Sequence, residues 1–422
     1  TFDISAQQMV LQMDIGDNTL GISAATPDLT LETASPLKIK ATTGRAEFSG
    51  SLVPADISLQ SANFDATLPS SGLSGRATAS QVQVRDRGDD PLYRPFTGDL
   101  TANFGNGLMQ VNGPISTARA ARTVADMNLT LDLVKMDGEA SVATRELLFE
   151  PNGFQPTALS ERVRGLLSNA RGKLNAGANF LIDGGKVSGT GFVEATNLGF
   201  DTLRIGAVDG VNGRVVFNDI MALSTPPGQE IRLGSINPGI PLNNGVIHFK
   251  LTDATNATIE DARWPFAGGE LVIGRSDWTI SGTRDIIEIS ARQLKLKDII
   301  STFKLPDVEA DGTVSGTFPV ELIGPNAYIR NAVLKADSEG GKIAYTGEIG
   351  DAAAQADERV ELAFNALKDF RFSVLEVGAN GNLSGDVLIT LKLVGKSPKV
   401  LDGTPFAFNI GVDSELMKLI RT

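Results

Sequence analysis

The strongest constraint on this chain is a strict two-residue alternation of apolar and polar side chains, repeated in short runs and broken by Gly, Asn, Asp and Pro. Successive side chains of a strand point to opposite faces of a sheet, so such runs read as half-buried strands joined by turns. Clear cases are DISLQSANFDATL from Asp56, MNLTLDLVKMDGEASVA from Met127, GVIHFKL from Gly245 and DIIEISARQLKL from Asp285. A small unit recurs within them: an apolar residue, then Ser-Gly, then an alternating strand. It occurs at Phe48-Ser49-Gly50, Leu73-Ser74-Gly75, Val187-Ser188-Gly189, Ile280-Ser281-Gly282, Val314-Ser315-Gly316 and Leu383-Ser384-Gly385. The spacing of these units is irregular, which argues against a propeller or a β-helix, where a fixed period shows.

The parity of each run defines a greasy face. Val314, Phe318, Val320 and Leu322 share one side of a strand with Gly316, and Leu383, Val387, Ile389, Leu391 and Leu393 share one side of another. Val187 with Val193, and Ile247 with Phe249 and Leu251, follow the same rule. Such a face forms the inner layer of a packed sandwich or the lining of an exposed trough, and alternation alone does not separate the two. Glycine recurring within strands favours bends and bulges, and hence a sheet curled toward that face.

Helix signals are few. They fall near 157–170, 297–303, 352–368 and 413–420, where apolar residues return every three or four positions, and each reads as a short cap on the apolar face. The interval from Leu223 to Gly245 carries Pro226, Pro227, Pro238 and Pro241 and reads as a long loop between strands.

Chemistry is sparse. Among 422 residues there is no cysteine, which removes disulfides, thiolate catalysis and Cys-based zinc sites. The one histidine, His248, sits on the polar parity of its strand, and no G-x-S-x-G elbow accompanies it. Asp307-Val308-Glu309-Ala310-Asp311-Gly312 imitates the start of a calcium loop, but its twelfth position is Phe318, where a bidentate glutamate is needed. The Gly105-Asn106-Gly107 and Gly189-Thr190-Gly191 pairs lack the third glycine of a dinucleotide fingerprint. These readings point to no catalytic residue, no metal site and no cofactor. A net charge of -12 repels a phosphate backbone, so nucleic acid is not an expected partner.

No apolar run approaches the roughly 18 residues of a spanning helix. The chain opens on TFDISAQQMVLQMDIG, already alternating like a strand, and reads as a fragment lacking its natural N-terminus.

From Thr157 onward the sequence resembles the YdbH family, grouped with the AsmA-like and TamB-like bridge proteins. The resemblance rests on an ordered set: PPGQEIRLGSINPGIPLNNGVIHFKL, the WPFAGGEL run from Trp264, EADGTVSGTFPVEL, ALKDFRFSVLEVGANGNLSGDVLITLKLVGKSP from Ala366, and the segment around Leu416. It implies a mostly β fold, an elongated, curved antiparallel sheet forming an open half-pipe groove with a few short capping α-helices. Residues 1–155 would be the upstream part of that groove and 156–422 the YdbH-like C-terminal part. The implied function is a non-enzymatic periplasmic bridge, anchored in the inner membrane by an N-terminal helix absent from this chain, that carries phospholipid to the outer membrane. The apolar residues named above would line the groove. A YnbE-like outer-membrane lipoprotein would add a strand to the last edge, at Phe406, Phe408, Ile410 and Val412, and a YdbL-like periplasmic protein would modulate the system. Two other readings compete with this one: a scaffold that assembles through its edge strands without carrying lipid, and an enzyme acting on envelope polymers, which the missing acid and base residues disfavour.

Overall fold

The computed structural model describes all residues except 16–17, 34, 51–54, 71, 185, 203–205, 239, 281–283, 303–306, 324–325, 339, 348–357, 384–385, 401–402 and 416–422. Strand accounts for 70% of the chain and helix for 6%, and the strands form one large antiparallel sheet that is not closed into a barrel. The mostly β, open antiparallel fold class that the family resemblance implies is therefore the one observed. The chain divides into two compact units, Thr1–Phe200 with Arg214–Pro226, and Asp201–Gly213 with Pro227–Thr422.

In the first unit the strand Ser74–Asp86 is a branch point. Its first half pairs with Ser61–Leu68, its second half with Ala55–Leu59, and its other edge with Phe96–Gly105. A meander follows through Leu108–Thr117, Thr123–Asp132 and Asp137–Thr144, and Ser168–Asp183 then pairs with both Asp137–Thr144 and Leu147–Phe149. In the second unit Gln229–Ile236, Leu242–Leu251, Asn256–Phe266, Gly269–Ile273 and Arg284–Lys295 pair in succession. Thr313–Ile323, Asn326–Ala336, Phe370–Asn382, Asp386–Lys396 and Phe406–Glu415 continue the series.

The long loop expected between Leu223 and Gly245 is not one, because Gln229–Ile236 is a full strand inside it. The prolines lie outside that strand, so none removes a donor from its ladder. The calcium-loop imitation is likewise partly sheet: Val308–Asp311 pairs with Gly341–Tyr345, and no cluster of metal-ligating side chains occurs among the described residues.

Of the expected helices, Leu296–Thr302 and Glu358–Leu367 form where the periodicity placed them, with 351–357 and 303 outside the described residues. The segment near 157–170 is not an α-helix. It makes two short 3-10 turns, Pro156–Ala158 and Glu161–Val163, before Gly165 adopts φ 78° and the chain enters a strand at Ser168. An isolated helix of this length is marginal in water, and the competing sheet hydrogen bonds together with burial of Leu159 and Leu167 decide the outcome. Near 413–420 the strand Phe406–Glu415 runs through the start of the expected helix, and 416–422 lie outside the described residues.

Bulges interrupt the ladders at polar residues with left-handed backbones. Gln81, Gln293 and Asn331 have φ of 47°, 51° and 48°, and the register shifts around each. A bulge frees a backbone N–H from the ladder. Here a side chain on the neighbouring strand takes it: Asp99 Oδ1 accepts from Gln81 at 2.8 Å, Ser315 Oγ from Gln293 at 2.8 Å and Asn380 Oδ1 from Asn331 at 3.4 Å. Ser315 is the serine of a Ser-Gly unit, and at Gly316 beside it an added Cβ would strike the Val333 carbonyl oxygen of the next strand. That unit is thus a bulge acceptor followed by a point of close strand approach. Replacing Ser315 with alanine should lower unfolding stability by about 1 kcal/mol, the typical net worth of one hydrogen bond, in urea denaturation. An unchanged midpoint would show that water replaces the acceptor.

Candidate functional site: an apolar face and a free edge

The register determines which side chains share a face. In the first unit, directly opposed residues form an unbroken row: Ile4, Leu29, Ala41, Phe64, Ala77, Ala102, Val111, Leu129, Ala140 and Phe180. At about 4.8 Å per strand this row extends about 40 Å. Bulky and small residues are mixed along it, and Phe64 and Phe104, opposed to Ala77 and Gly75 of the strand between them, meet edge to face at 5.7 Å. Val187 and Val193 share the parity of Gly189 and Gly191, whose missing side chains leave room for Phe180 and Ile220. Val187 is 48% exposed, and Val193 is half-buried.

The second unit repeats the arrangement. Gly213, Ile231, Ile247, Ala262, Ile273, Ile289 and Phe318 form one row. Beside it run Ile287, Val320, Ile329, Gly381 and Val387, then Ala332, Ala379, Ile389 and Val412, and then Leu334, Val377, Leu391 and Ile410. Phe249 and Leu251 lie opposite Ile259 and Ala257, and the backbone of Leu383 donates to Ala327, which faces Leu322. The residues singled out by parity in this unit therefore lie on one side of its sheet.

Exposure divides them. Val314, Val320, Leu322, Leu383, Val387 and Leu393 are at most 8% exposed and act as packing. Ile247, Phe249, Leu251, Phe318, Ile389 and Leu391 are half-buried and keep accessible apolar surface. Parity did not reveal Ile231, Ala262, Trp264, Ile273, Ile329 or Leu334 as their neighbours. Trp264, only 6% exposed, lies against Gly245, where a Cβ would fall inside the indole. Alternation was visible at each of these positions, but the bulges between Ala291 and Leu294 and between Ile329 and Ala332 shift parity within a strand.

The opposite face is polar and held by charge pairs. Across the strands of the second unit run Arg232, Glu230, His248, Asp261, Arg263, Glu270 and Arg292, each in ionic contact with the next. His248 Nδ1 lies 2.5 Å from Asp261 Oδ1 and Nε2 lies 3.2 Å from Glu230 Oε2. The hydrogen bond to Asp261 raises the His248 pKa above its ordinary 6.5, against partial burial and with further help from Glu230. A histidine whose pKa is raised on folding stabilises the fold fully below its unfolded pKa and loses that contribution as pH climbs through the raised value. The loss therefore lies above pH 6.5. Because His248 is the sole histidine, its ring resonances in NMR should titrate with a midpoint above 6.5, falling back in Asp261→Asn. A midpoint at 6.5 in the unaltered protein would show that the pair does not persist in solution.

The last strand, Phe406–Glu415, pairs with Asp386–Lys396 along one side, and no strand pairs with its other side among the described residues. Phe406 and Phe408 face Gly395 and Leu393, pack with the fully buried Phe370 at 5.4 and 5.3 Å between ring centres and with each other at 5.1 Å, so they belong to the apolar face. Ile410 and Val412 pair in register with Leu391 and Ile389. What the free edge offers is main-chain N–H and C=O groups. No helix among the described residues is long and apolar enough to cross a membrane.

No curated protein matches the chain, and no solved structure matches it. The sequence pattern of the YdbH-like family, described as intermembrane phospholipid transport protein YdbH, matches residues 3–422, well beyond the Thr157–Thr422 region where the resemblance was legible. Rows of apolar residues within each unit, on a sheet that does not close, thus occur in a chain that belongs to the YdbH-like family of intermembrane phospholipid transport proteins.

Proposed function

We propose that this protein is a non-enzymatic periplasmic bridge that conducts phospholipid between the inner and outer membranes, acyl chains lying on the apolar face and headgroups in water. The observation that carries the reading is the row from Ile4 to Phe180, with its counterparts in the second unit. Exposing an acyl chain costs about 0.8 kcal/mol per methylene, on the order of 12 kcal/mol for sixteen carbons. A face that accepts the chain removes most of that barrier. The contacts are non-directional, so neighbouring positions differ little in energy and a lipid slides without dwelling. No bond is made or broken, and no nucleophile is needed. An anchor in the inner membrane and a YdbL-like modulator complete the arrangement.

Photo-crosslinking tests it. A lipid-reactive side chain at Leu391 should form phospholipid adducts, and Ile389→Asp should abolish them while circular dichroism stays unchanged. Val320→Asp, at a site 4% exposed, should instead cost about 3 kcal/mol or more of stability, because it buries an unpaired charge. Adducts that persist in Ile389→Asp would place the lipid elsewhere.

The free side of Phe406–Glu415 is the proposed dock for a YnbE-like lipoprotein, by addition of a strand. Ala407 and Asn409 are exposed on the polar parity of this strand. Lysine at Ala407, which is opposed to Val394, should block edge pairing and abolish copurification of the lipoprotein without lowering stability. Undiminished copurification would move the dock to another surface.

A further inference from the structure

In the first unit part of the apolar face is already covered. The segment from Phe154 to Leu167 leaves the sheet after Leu147–Phe149 and returns at Ser168. On the way Phe154 joins a buried cluster with Val124, Leu147, Phe149 and Ala170, and Ala158, Leu159 and Leu167 of the segment pack against that cluster, as do Ile115 and Leu198 from separate strands. Phe149 and Phe154 stack at 5.6 Å and 7°, with the Arg122 guanidinium 4.4 Å from the Phe154 ring centre. Under this strap Val124, Leu147, Phe149 and Ala170 are only 1–3% exposed.

The strap is tied at both ends. At its start the Gln155 side chain acts as a strand partner for Ala170, donating to its carbonyl at 2.8 Å and accepting from its N–H at 2.9 Å. At its far side it joins the loop that follows Ser74–Asp86. Arg94 N donates to Leu159 O at 2.8 Å, Ser160 Oγ to Leu92 O at 2.6 Å and Arg162 to Asp90 O at 2.6 Å, while Arg94 pairs with Glu161. That loop is itself set by Asp86, whose carboxylate accepts from Gly88 and Leu92 and is held below its ordinary pKa by those two bonds.

The covered and uncovered parts lie along the same strands. In Leu108–Thr117, Ile115 packs against the cluster that the strap joins, whereas Met109, Val111 and Gly113 on the same parity are absent from it. The uncovered width from Met109 to Gly113 is about 14 Å at about 3.4 Å per residue. On neighbouring strands the same lane holds Phe104, Leu129, Ala140 and Phe180.

We infer that the strap Phe154–Leu167 is a side wall that confines acyl chains to the lane marked by Val111, Leu129, Ala140 and Phe180, and so limits how many chains pass abreast. The inference rests on the lipid-conducting reading above and adds to it the part of the face that carries lipid. The strap supplies the apolar contacts that a lipid would make, so the surface beneath it is closed to cargo. Its apolar feet and its tethers make it a selective element, since a wider lane admits a bulkier lipid.

The test uses the full chain with a photo-crosslinking side chain at one position at a time. Phospholipid adducts should form at Leu129 and Phe180 and be at least tenfold weaker at Ile115 and Leu198. A variant that frees the strap, Leu159→Ser with Leu167→Ser and Glu161→Gln, should raise adducts at Ile115 at least tenfold while those at Leu129 persist. Limited proteolysis within 156–167 reports whether the strap has left the sheet. Equal adducts at Ile115 and Leu129 in the intact protein would overturn the wall. So would a strap that is released by proteolytic criteria with no gain at Ile115. Absence of adducts at every position, Leu129 and Leu391 included, would sink the lipid-conducting reading and this inference with it.

Discussion

Everything in this molecule depends on register. Side chains alternate with a period of two, so a slip of one residue between neighbouring strands would turn an entire apolar set toward water. The pairing Leu29 with Ala41, Ala41 with Phe64 and onward to Phe180 keeps every member of the row on one side. Burial of the face and the pairing of strands are thus the same event. A sheet that does not close has no second layer to enforce this, and the register is specified strand by strand through the hydrophobic pattern and the turns.

The bulges show how the pattern survives its own interruptions. Each inserts a residue, shifts the parity of its strand and releases an N–H, and a polar side chain on the next strand receives it. These bonds lie at exposed positions, so each contributes modestly, and Asp99, Ser315 and Asn380 act as structural partners that fix the bulges at Gln81, Gln293 and Asn331. On the far face the ladder from Arg232 to Arg292 alternates sign across the strands. Such exposed pairs contribute little stability singly, but opposed like charges would be unfavourable, so the alternation also favours the native pairing.

The apolar face has two kinds of surface. Where strands, helices or the strap cover it, as at Val314, Val320 and Phe149, it acts as a core, and its residues respond to substitution through packing. Where it is half-buried, as at Phe318, Ile389, Leu129 and Phe180, apolar area remains for a mobile occupant. Large exposed apolar surface on a folded protein normally marks a binding function. In a phospholipid transport family, an acyl chain is the occupant that such a surface suits. The charge pairs of the far face keep that side in water.

The alternation alone determined that the chain is a β protein with one apolar parity, and it picked Val314 to Leu322 and Leu383 to Leu393 as members of common faces, because period two is a local property of consecutive residues. The same local reading placed a helix near 157–170 and a loop across 229–236, where propensity and proline count were outweighed by sheet hydrogen bonds and burial formed with distant strands. The sequence also pointed to the family from Thr157 to Thr422, through short ordered strings, and missed it upstream, where only generic strand and turn signals occur. Which parities join across strands, which apolar residues are sealed, and where the strap lies were decided by tertiary structure. The reason is physical: register, bulge position and coverage are relations between segments far apart in the chain, and no window of consecutive residues contains both partners.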